Sequence, residues 1–483
     1  MHRPEPGHSG RRHGAWHAVL IGAVVFGILC RASQFAAHTS LWHDEAYIAL
    51  NVLQKSYVGL LGPLDWQEAA PPGFLWLEKL AVESLGRSEY ALRLAPLLAG
   101  LAGLVCFAVL VRQACSSAAA ACWAVVLMAA SDKLIAQANE TKQFTLDLLC
   151  AVVLAQLAVR GWHQRRTIAT LLAWGAVGAC SVWLSFASSF VFAGTSLVLA
   201  ARWARTWRWP ERTTYVVANV MVLASFALLL ASIQAQLSSG LLSFWTRSFP
   251  DMSSASAPIY WLARSLLGFF NYFWQPLGAA LILLAALGGV SASRNARRAE
   301  LRVLVTPVLL ALIASVFHRW PFGGNQHMTF AGPAVLVLVG EGLEHVRARL
   351  TRWRPWAGAT CVGLLLIPGL AGATYHLVVP RWRYEVRPVI AFVQQHQQPG
   401  DQLFVMCPPE FEFYTGRRVP DAPAEPNPAA RVWFIAPRTE GRAFARQDLL
   451  DRLATRRARL LAIDEPGAAG YLFAPEGTRA ILP

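Results

Sequence analysis

The sequence predicts a polytopic α-helical membrane protein with a small α/β domain at its carboxy terminus. Three observations carry that prediction. Of 483 residues, 55% are hydrophobic and only 15% charged, where a soluble domain carries about 25% charged residues. Uncharged runs such as "WHAVLIGAVVFGIL", "LAPLLAGLAGLVCFAVLV" and "YVVANVMVLASFALLLASI" approach the ~20 residues needed to cross a bilayer. Arginine clusters then punctuate alternate loops, at 160–166, 202–212, 293–302 and 347–354, as the positive-inside rule requires of a cytoplasmic face.

Reading apolar runs against arginine punctuation gives about eleven spans. They lie near 15–37, 90–111, 116–131, 143–160, 167–184, 186–201, 214–236, 271–291, 302–317, 329–346 and 356–379. The first run is an anchored helix and not a signal peptide, because the same apolar pattern repeats for several hundred residues after it. The amino terminus then faces the cytoplasm, and everything after Pro380 lies outside. Residues 1–379 form the membrane domain. Its first outer loop, 38–89, holds two amphipathic helices, "EAYIALNVL" and "GFLWLEKLAVESLG", suited to lying along the membrane surface. A second long outer loop, 237–270, places Trp245, Phe249, Tyr260 and Trp261 for the interfacial belt.

Residues 380–483 change character. "RPVIAFVQQHQQ" and "RQDLLDRLATRRA" read as helices, while "DQLFVM", "RVWFIAP", "RLLAID" and "GYLFAP" read as strands. The Pro/Ala-rich stretch "VPDAPAEPNPAA" links them, and no phosphate loop or nucleophile elbow occurs there. The net charge of +15 is explained by topology, so no nucleic-acid partner is implied. Eight scattered cysteines show no CxxC or His/Cys cluster, so neither a zinc site nor a disulfide framework is indicated.

Polar residues collect on the outer side. The first loop carries Asp44, Glu45, Asp65, Glu68, Glu78, Lys79, Glu83, Arg87 and Glu89. The second adds Asp132, Lys133, Asn139, Glu140, Lys142 and Gln143, and a later one His318, Arg319, Asn325, Gln326 and His327. The four lysines of the chain, Lys55, Lys79, Lys133 and Lys142, all fall in these outer loops. Carboxylates offer a general base, and cations stabilise charge on a departing phosphate. Asp44 and Glu45 equally suit a helix start, where the dipole favours carboxylates. Arg93, just inside the second span, needs a partner, and Glu89 one turn earlier offers it a helical ion pair. Glu140 pairs with a neighbouring cation or holds a metal.

"LWHDEAYIALNVL" followed by "APPGFLWLEKLAVESLGRSEYALRLAPLLAGL" resembles the opening of the protein O-mannosyltransferase-like and lipid A aminoarabinose transferase-like branch of the C-type glycosyltransferases. "AQANETKQFTLDLL", "WLSFASSFVFAG", "RWPFGGNQHMTFAGPAVLVLVGEGL" and "RYEVRPVIAFVQQHQQPGDQLFV" resemble later parts in order, over about residues 40–435. The resemblance implies the C-type glycosyltransferase fold in a bacterial inner membrane. It also implies transfer of a sugar, with inversion, from a polyprenyl-phosphate donor to a hydroxyl of a glycan, lipid or protein. Asp44 is then the base, with Glu45 beside it. Lys142, Arg319, Arg93 and Lys79 are donor-phosphate candidates, and Glu140, Gln143, His327 and Asn325 substrate candidates. Lys142 and Arg319 equally suit snorkelling at the interface. No DxD motif is present, so no cofactor is implied, although Asp44, Glu45 and Glu140 together offer ligands for a divalent metal. The rival reading is a lipid or sugar transporter or flippase. Such a protein would show repeated halves and charges at mid-membrane; here no repeat is seen.

Overall fold

The computed structural model describes residues 7–163, 167–236, 245–252, 254, 256–419, 427, 430–438, 443–454 and 457–475. Among them, seven helices are long and apolar enough to cross a membrane: α1 (Gly7–Ala36), α4 (Glu89–Ala114), α7 (Phe144–His163), α8 (Thr167–Leu184), α10 (Trp209–Ile233), α13 (Arg298–Val316) and α15 (Pro355–Val378). Between α1 and α4 lie the two helices expected of the first loop, α2 (His43–Gln54) and α3 (Pro72–Leu85). Helix α3 starts with Pro72 at its first position and stops at Gly86, whose φ of 86° suits glycine. Its outward face shows Leu77, Leu80 and Leu85, and its inward face buries Phe74, Leu75 and Glu78.

The remaining expected spans differ in kind. Helix α5 (Ala118–Ala130) has 13 residues, about 20 Å at 1.5 Å per residue and short of the hydrocarbon thickness. The short α6 (Asp132–Gln137) continues from it after Ser131. Helices α9 (Ser188–Arg205) and α14 (Gly332–Trp353) are helical where expected, but carry charged residues along their last turns. The expected span 271–291 is corrected. There α11 (Ala257–Phe273) and α12 (Gly278–Arg294) meet at 91°. Pro276 cannot continue a helical hydrogen-bond ladder, and the Asn271 side chain instead accepts from the Gly278 amide at 2.6 Å. Small residues bring the helices close. A Cβ at Gly288 or Gly342 would stand 1.9 Å from a carbonyl oxygen of the facing helix, so α12 and α14 touch backbone to backbone.

The arginine-rich turns gather at one end of the bundle. There Ser116 Oγ donates to Glu341 at 2.7 Å, His163 meets Glu300 at 3.2 Å, and Arg297 donates to the Gln113 carbonyl at 3.0 Å. At the other end sits the carboxy-terminal α/β unit. Its sheet has the order β1 (Gln402–Val405), β2 (Val432–Pro437), β4 (Ala468–Pro475), β3 (Arg457–Glu465); β1 and β2 are parallel and the other pairs antiparallel. Helix α16 (Val386–His396) packs Val386, Val389, Ile390 and Val393 on Trp433, Ile435 and Leu472. Helix α18 (Ala443–Ala454) covers the opposite face, with Leu450 and Leu453 against Phe404, Phe434 and Phe473. The sequence pattern missed helix α17 (Pro408–Thr415). Its Phe413 joins Leu41, Ala49, Leu50 and Leu92 in one buried cluster, which welds the sheet unit to α2. The linker 419–430 lies largely outside the described residues.

Candidate active site

The acidic pair at the start of α2 divides into two environments one residue apart. Successive helical residues point about 100° apart, so Asp44 and Glu45 cannot share surroundings. Glu45 is 1% exposed. Its Oε1 accepts from Arg93 Nε at 2.9 Å and from the Thr141 amide at 2.8 Å, and its Oε2 from Arg93 Nη2 at 2.7 Å. Oε2 also meets the Trp42 amide at 3.4 Å, the reciprocal half of a helix cap. Arg93 spends its remaining donors on Thr39 O at 2.7 Å, Thr39 Oγ1 at 3.1 Å and Ser40 O at 3.1 Å. The helical pair expected between Arg93 and Glu89 does not form. Glu89 is taken by Arg387 at 2.7 Å, His38 at 3.0 Å and the Tyr414 hydroxyl at 3.0 Å. Nor does the Arg93 guanidinium keep an N–H for a donor phosphate. Its task is to fix α2 against α4 and, through Glu45, to hold the 139–142 turn.

Asp44 keeps 29% of its side chain exposed, with Oδ1 accepting from His43 Nε2 at 3.1 Å. Burial pushes its pKa up, but the His43 hydrogen bond and the charges of Lys142, His43 and Arg383 outweigh it and hold the carboxyl below its usual range. Asp44 is therefore ionised at neutral pH. Behind it, His43 Nδ1 faces the Tyr384 hydroxyl at 3.3 Å, and that hydroxyl donates to the buried Glu410. The carboxy-terminal unit thus reaches directly behind the Asp44 side chain.

Lys142 lies across from Asp44, with Nζ 3.1 Å from both carboxylate oxygens of Glu68. Burial raises the Glu68 pKa, partly countered by Lys142 and reinforced by Asp44. Next along the turn, Glu140 accepts from Arg383 Nη2 at 2.9 Å. The Arg383 guanidinium carbon lies over Trp42, 3.7 Å from the ring centroid. Trp42, Glu140 and Arg383 line a cavity of about 340 Å³ together with Lys133, Gln137, Tyr272 and Gln326, while Asp44 and Lys142 lie outside its lining. Arg381 closes one side by pairing with Asp132. Among the described residues Lys133 has no ion-pair partner.

Other expected site residues fall elsewhere. Lys79 donates to Val52 O at 3.2 Å, pairs with Glu83 at 3.2 Å and lies over Tyr57, so it is committed to α3 and its loop. Arg319 is exposed in the turn after α13 and does not line the cavity. Asn325 caps the following 3₁₀ turn, accepting from the His327 amide at 3.0 Å. Gln143 is buried beside Lys142 at the start of α7, outside the cavity lining. His327 is boxed edge-on by Phe144, Trp245 and Trp320. Burial, then the Lys142 charge, pushes its pKa down to about 4, so it is neutral at pH 7. The trio Asp44, Glu45 and Glu140 does not gather into a metal site: no group of three His, Cys, Asp or Glu with that geometry occurs among the described residues. Asp44 turns to His43, Glu45 to Arg93 and Glu140 to Arg383.

Sequence reasoning passed over His43 and Arg383, and placed Glu68 among the outer-loop carboxylates without giving it a role. One signal for Arg383 was available. "RWRYEVR" (381–387) places three arginines after the last apolar run, on the side that should be poor in them.

No family model matches the sequence, and no curated protein does. Solved structures do resemble the fold. The apo crystal structure of ArnT from Cupriavidus metallidurans superposes with a TM-score of 0.55 at 14% identity, covering 95% of this chain and 98% of that one. The same protein bound to undecaprenyl phosphate gives 0.52 at 13% identity over the same shares. An oligosaccharyltransferase of Archaeoglobus fulgidus, in complex with Zn and sulfate, gives 0.50 at 14% identity, over 83% of this chain and 61% of that one. The chain has the C-type glycosyltransferase fold.

Proposed function

We propose that the protein is a membrane glycosyltransferase that moves a sugar from a polyprenyl-phosphate donor to an acceptor hydroxyl, with inversion. One observation carries the reading. In a fold shared almost end to end with ArnT, a partly exposed, ionised Asp44 stands among His43, Lys142 and Arg383 at the end that bears the α/β unit. ArnT has been crystallised with undecaprenyl phosphate, and the donor class proposed here is the same.

The chemistry follows from the charges. The acceptor oxygen attacks the anomeric carbon as the bond from that carbon to the phosphate oxygen breaks. The acceptor proton passes to Asp44, and the electron pair leaves with the polyprenyl phosphate. Lys142 supplies positive charge to the departing phosphate, exchanging its contact with Glu68. Lys133 and Arg383, on the cavity wall, are further phosphate contacts, and Glu140 and Gln137 face the sugar hydroxyls. Glu45 and Arg93 are positioning residues. In this reading residues 1–379 are the transferase domain, and residues 380–483 a periplasmic domain that backs the base through Tyr384. In the same reading the amino terminus faces the cytoplasm of a bacterial inner membrane, and the arginine distribution supports that orientation.

Membranes carrying Asp44→Asn, assayed for sugar transfer from a polyprenyl-phosphate donor, should lose activity by about 10²–10⁴-fold while the protein still accumulates. Undiminished transfer would remove Asp44 from its role. Movement of the donor across vesicles without any transfer would favour the flippase reading instead.

A further inference from the structure

The part of α2 beyond Asp44 belongs to no step described so far. His43, Tyr47, Asn51 and Gln54 recur every three or four residues and so share one helix face. That face carries a run of rings. Trp42 meets His43 edge-on at 4.7 Å, His43 meets Tyr47 edge-on at 5.9 Å, and Tyr47 is stacked on Trp66 at 5.3 Å with planes 11° apart. Trp66 remains 40% exposed. The backbone is shaped to present it: Trp66 and Gln67 have φ of 64° and 56°, left-handed values that cost non-glycine residues energy. Asn51, 1% exposed, pins this turn from below by accepting from the Asp65 amide at 2.9 Å and donating to its carbonyl at 3.3 Å.

Beside Trp66 lies a second cavity of about 290 Å³, lined by Gln54, Asp65, Trp66, Glu412 and Arg418. Gln54 and Glu412 are already joined at 2.8 Å, so the carboxy-terminal unit forms one wall. An aromatic face bordered by amide, carboxylate and guanidinium groups fits one ligand chemistry. The axial C–H bonds of a pyranose pack on the negative face of an indole, while its hydroxyls pair with planar polar side chains. Asp44 and Gln54 stand ten residues apart on α2, about 15 Å along the axis. The face therefore runs from beside the proposed base along His43 and Tyr47 to Trp66, whose turn covers Asn51, and on to Gln54 at the second cavity.

We infer that this face of α2, with Trp66 and the adjoining cavity, binds a saccharide acceptor, so that the hydroxyl offered to Asp44 belongs to a glycan. The inference rests on the transferase reading for the word acceptor, but the saccharide site is testable without it. The detergent-solubilised full chain is titrated with maltotriose, chitotriose and mannotriose, and with a serine-containing tripeptide as control, by saturation-transfer NMR. At least one trisaccharide should bind and the tripeptide should not. Trp66→Ala should raise the Kd roughly tenfold or more, and Trp66→Phe should recover most of that loss. Binding by no trisaccharide, or by the tripeptide alone, overturns the inference. So does unchanged binding by a folded Trp66→Ala, which would leave Trp66 as an interfacial anchor. Saccharide binding that depends on Trp66 in a protein without transfer activity would keep this site and discard the transferase reading.

Discussion

Replacing Arg93 by methionine should be among the most damaging single changes at the α2–α4 contact. Methionine fills comparable space but donates nothing, so the Glu45 carboxyl would stay at 1% exposure with the Thr141 amide and hydroxyl and the Trp42 amide as its remaining donors. Removing one partner of a buried pair costs about 3–5 kcal/mol. The carbonyls of Thr39 and Ser40 also lose their guanidinium donors, so the upper half of that range is expected. If about 3 kcal/mol falls on the unfolding barrier, the half-life of the solubilised protein at elevated temperature shortens by about a hundredfold. Tryptophan fluorescence and residual transfer activity, followed against heating time, read this directly. The double variant Glu45→Met, Arg93→Met should recover stability, since an apolar replacement of a whole buried pair is often neutral or stabilising. It should not recover full activity, because Thr141 loses the carboxylate that holds the turn bearing Glu140 and Lys142. An Arg93→Met protein that outlasts heating as well as the parent would refute the assignment of a buried, bidentate latch.

Three further outcomes are expected. His327 has its folded pKa pushed down to about 4 from 6.5, so the unfolded chain takes up the proton first and stability falls as pH drops from 6.5 towards 4. His327→Phe should flatten that part of a half-life profile, and an unchanged slope would show that the imidazole is wetted. Glu78 is fully buried with neither carboxylate oxygen bonded, and burial followed by the Glu45 charge lifts its pKa well above the usual range. Its contribution is present below the unfolded value near 4.3 and is lost as pH rises above it, so Glu78→Gln should improve stability at pH 8 relative to pH 5. A profile parallel to the parent's would contradict this. Finally, single cysteines placed in 202–212 and 420–430 should label from outside only in the second segment; the reverse pattern would invert the proposed orientation.

Much of the fold is legible because its causes are local. Apolar runs against arginine clusters located the long helices, since the bilayer imposes a length and the translocated side excludes basic residues. Short apolar runs bounded by polar residues located all four strands of the carboxy-terminal sheet. The misses have local causes too. Pro276 breaks what hydropathy reads as one span, and hydropathy averages over a single proline. Helix α17 is only eight residues long, opens on two prolines and ends at Gly416 in the left-handed region, a pattern that mimics a turn.

The candidate site divides along the same line. Asp44 and Glu45 were visible as neighbours, and Lys142 and Glu140 as charges on the same side. Which carboxylate keeps solvent and which is buried was decided by the 100° step between them on α2 and by Arg93 arriving from α4. Glu89, four residues before Arg93 and thus positioned to pair with it, instead lost it to Glu45 because Arg387 and His38 claimed Glu89 first.

By itself the sequence determined that this chain crosses a membrane many times, gathers its acids and lysines opposite its arginine-rich turns, and ends in an α/β unit. Hydrophobicity, charge and periodicity act residue by residue along the chain. Only the tertiary structure decided that Asp44, His43 and Lys142 meet, that Tyr384 and Arg383 stand behind and beside them, and that Trp66 is stacked along the same helix. Those meetings join segments up to 341 residues apart, as His43 and Tyr384 are, and contacts at that separation are set by packing in three dimensions.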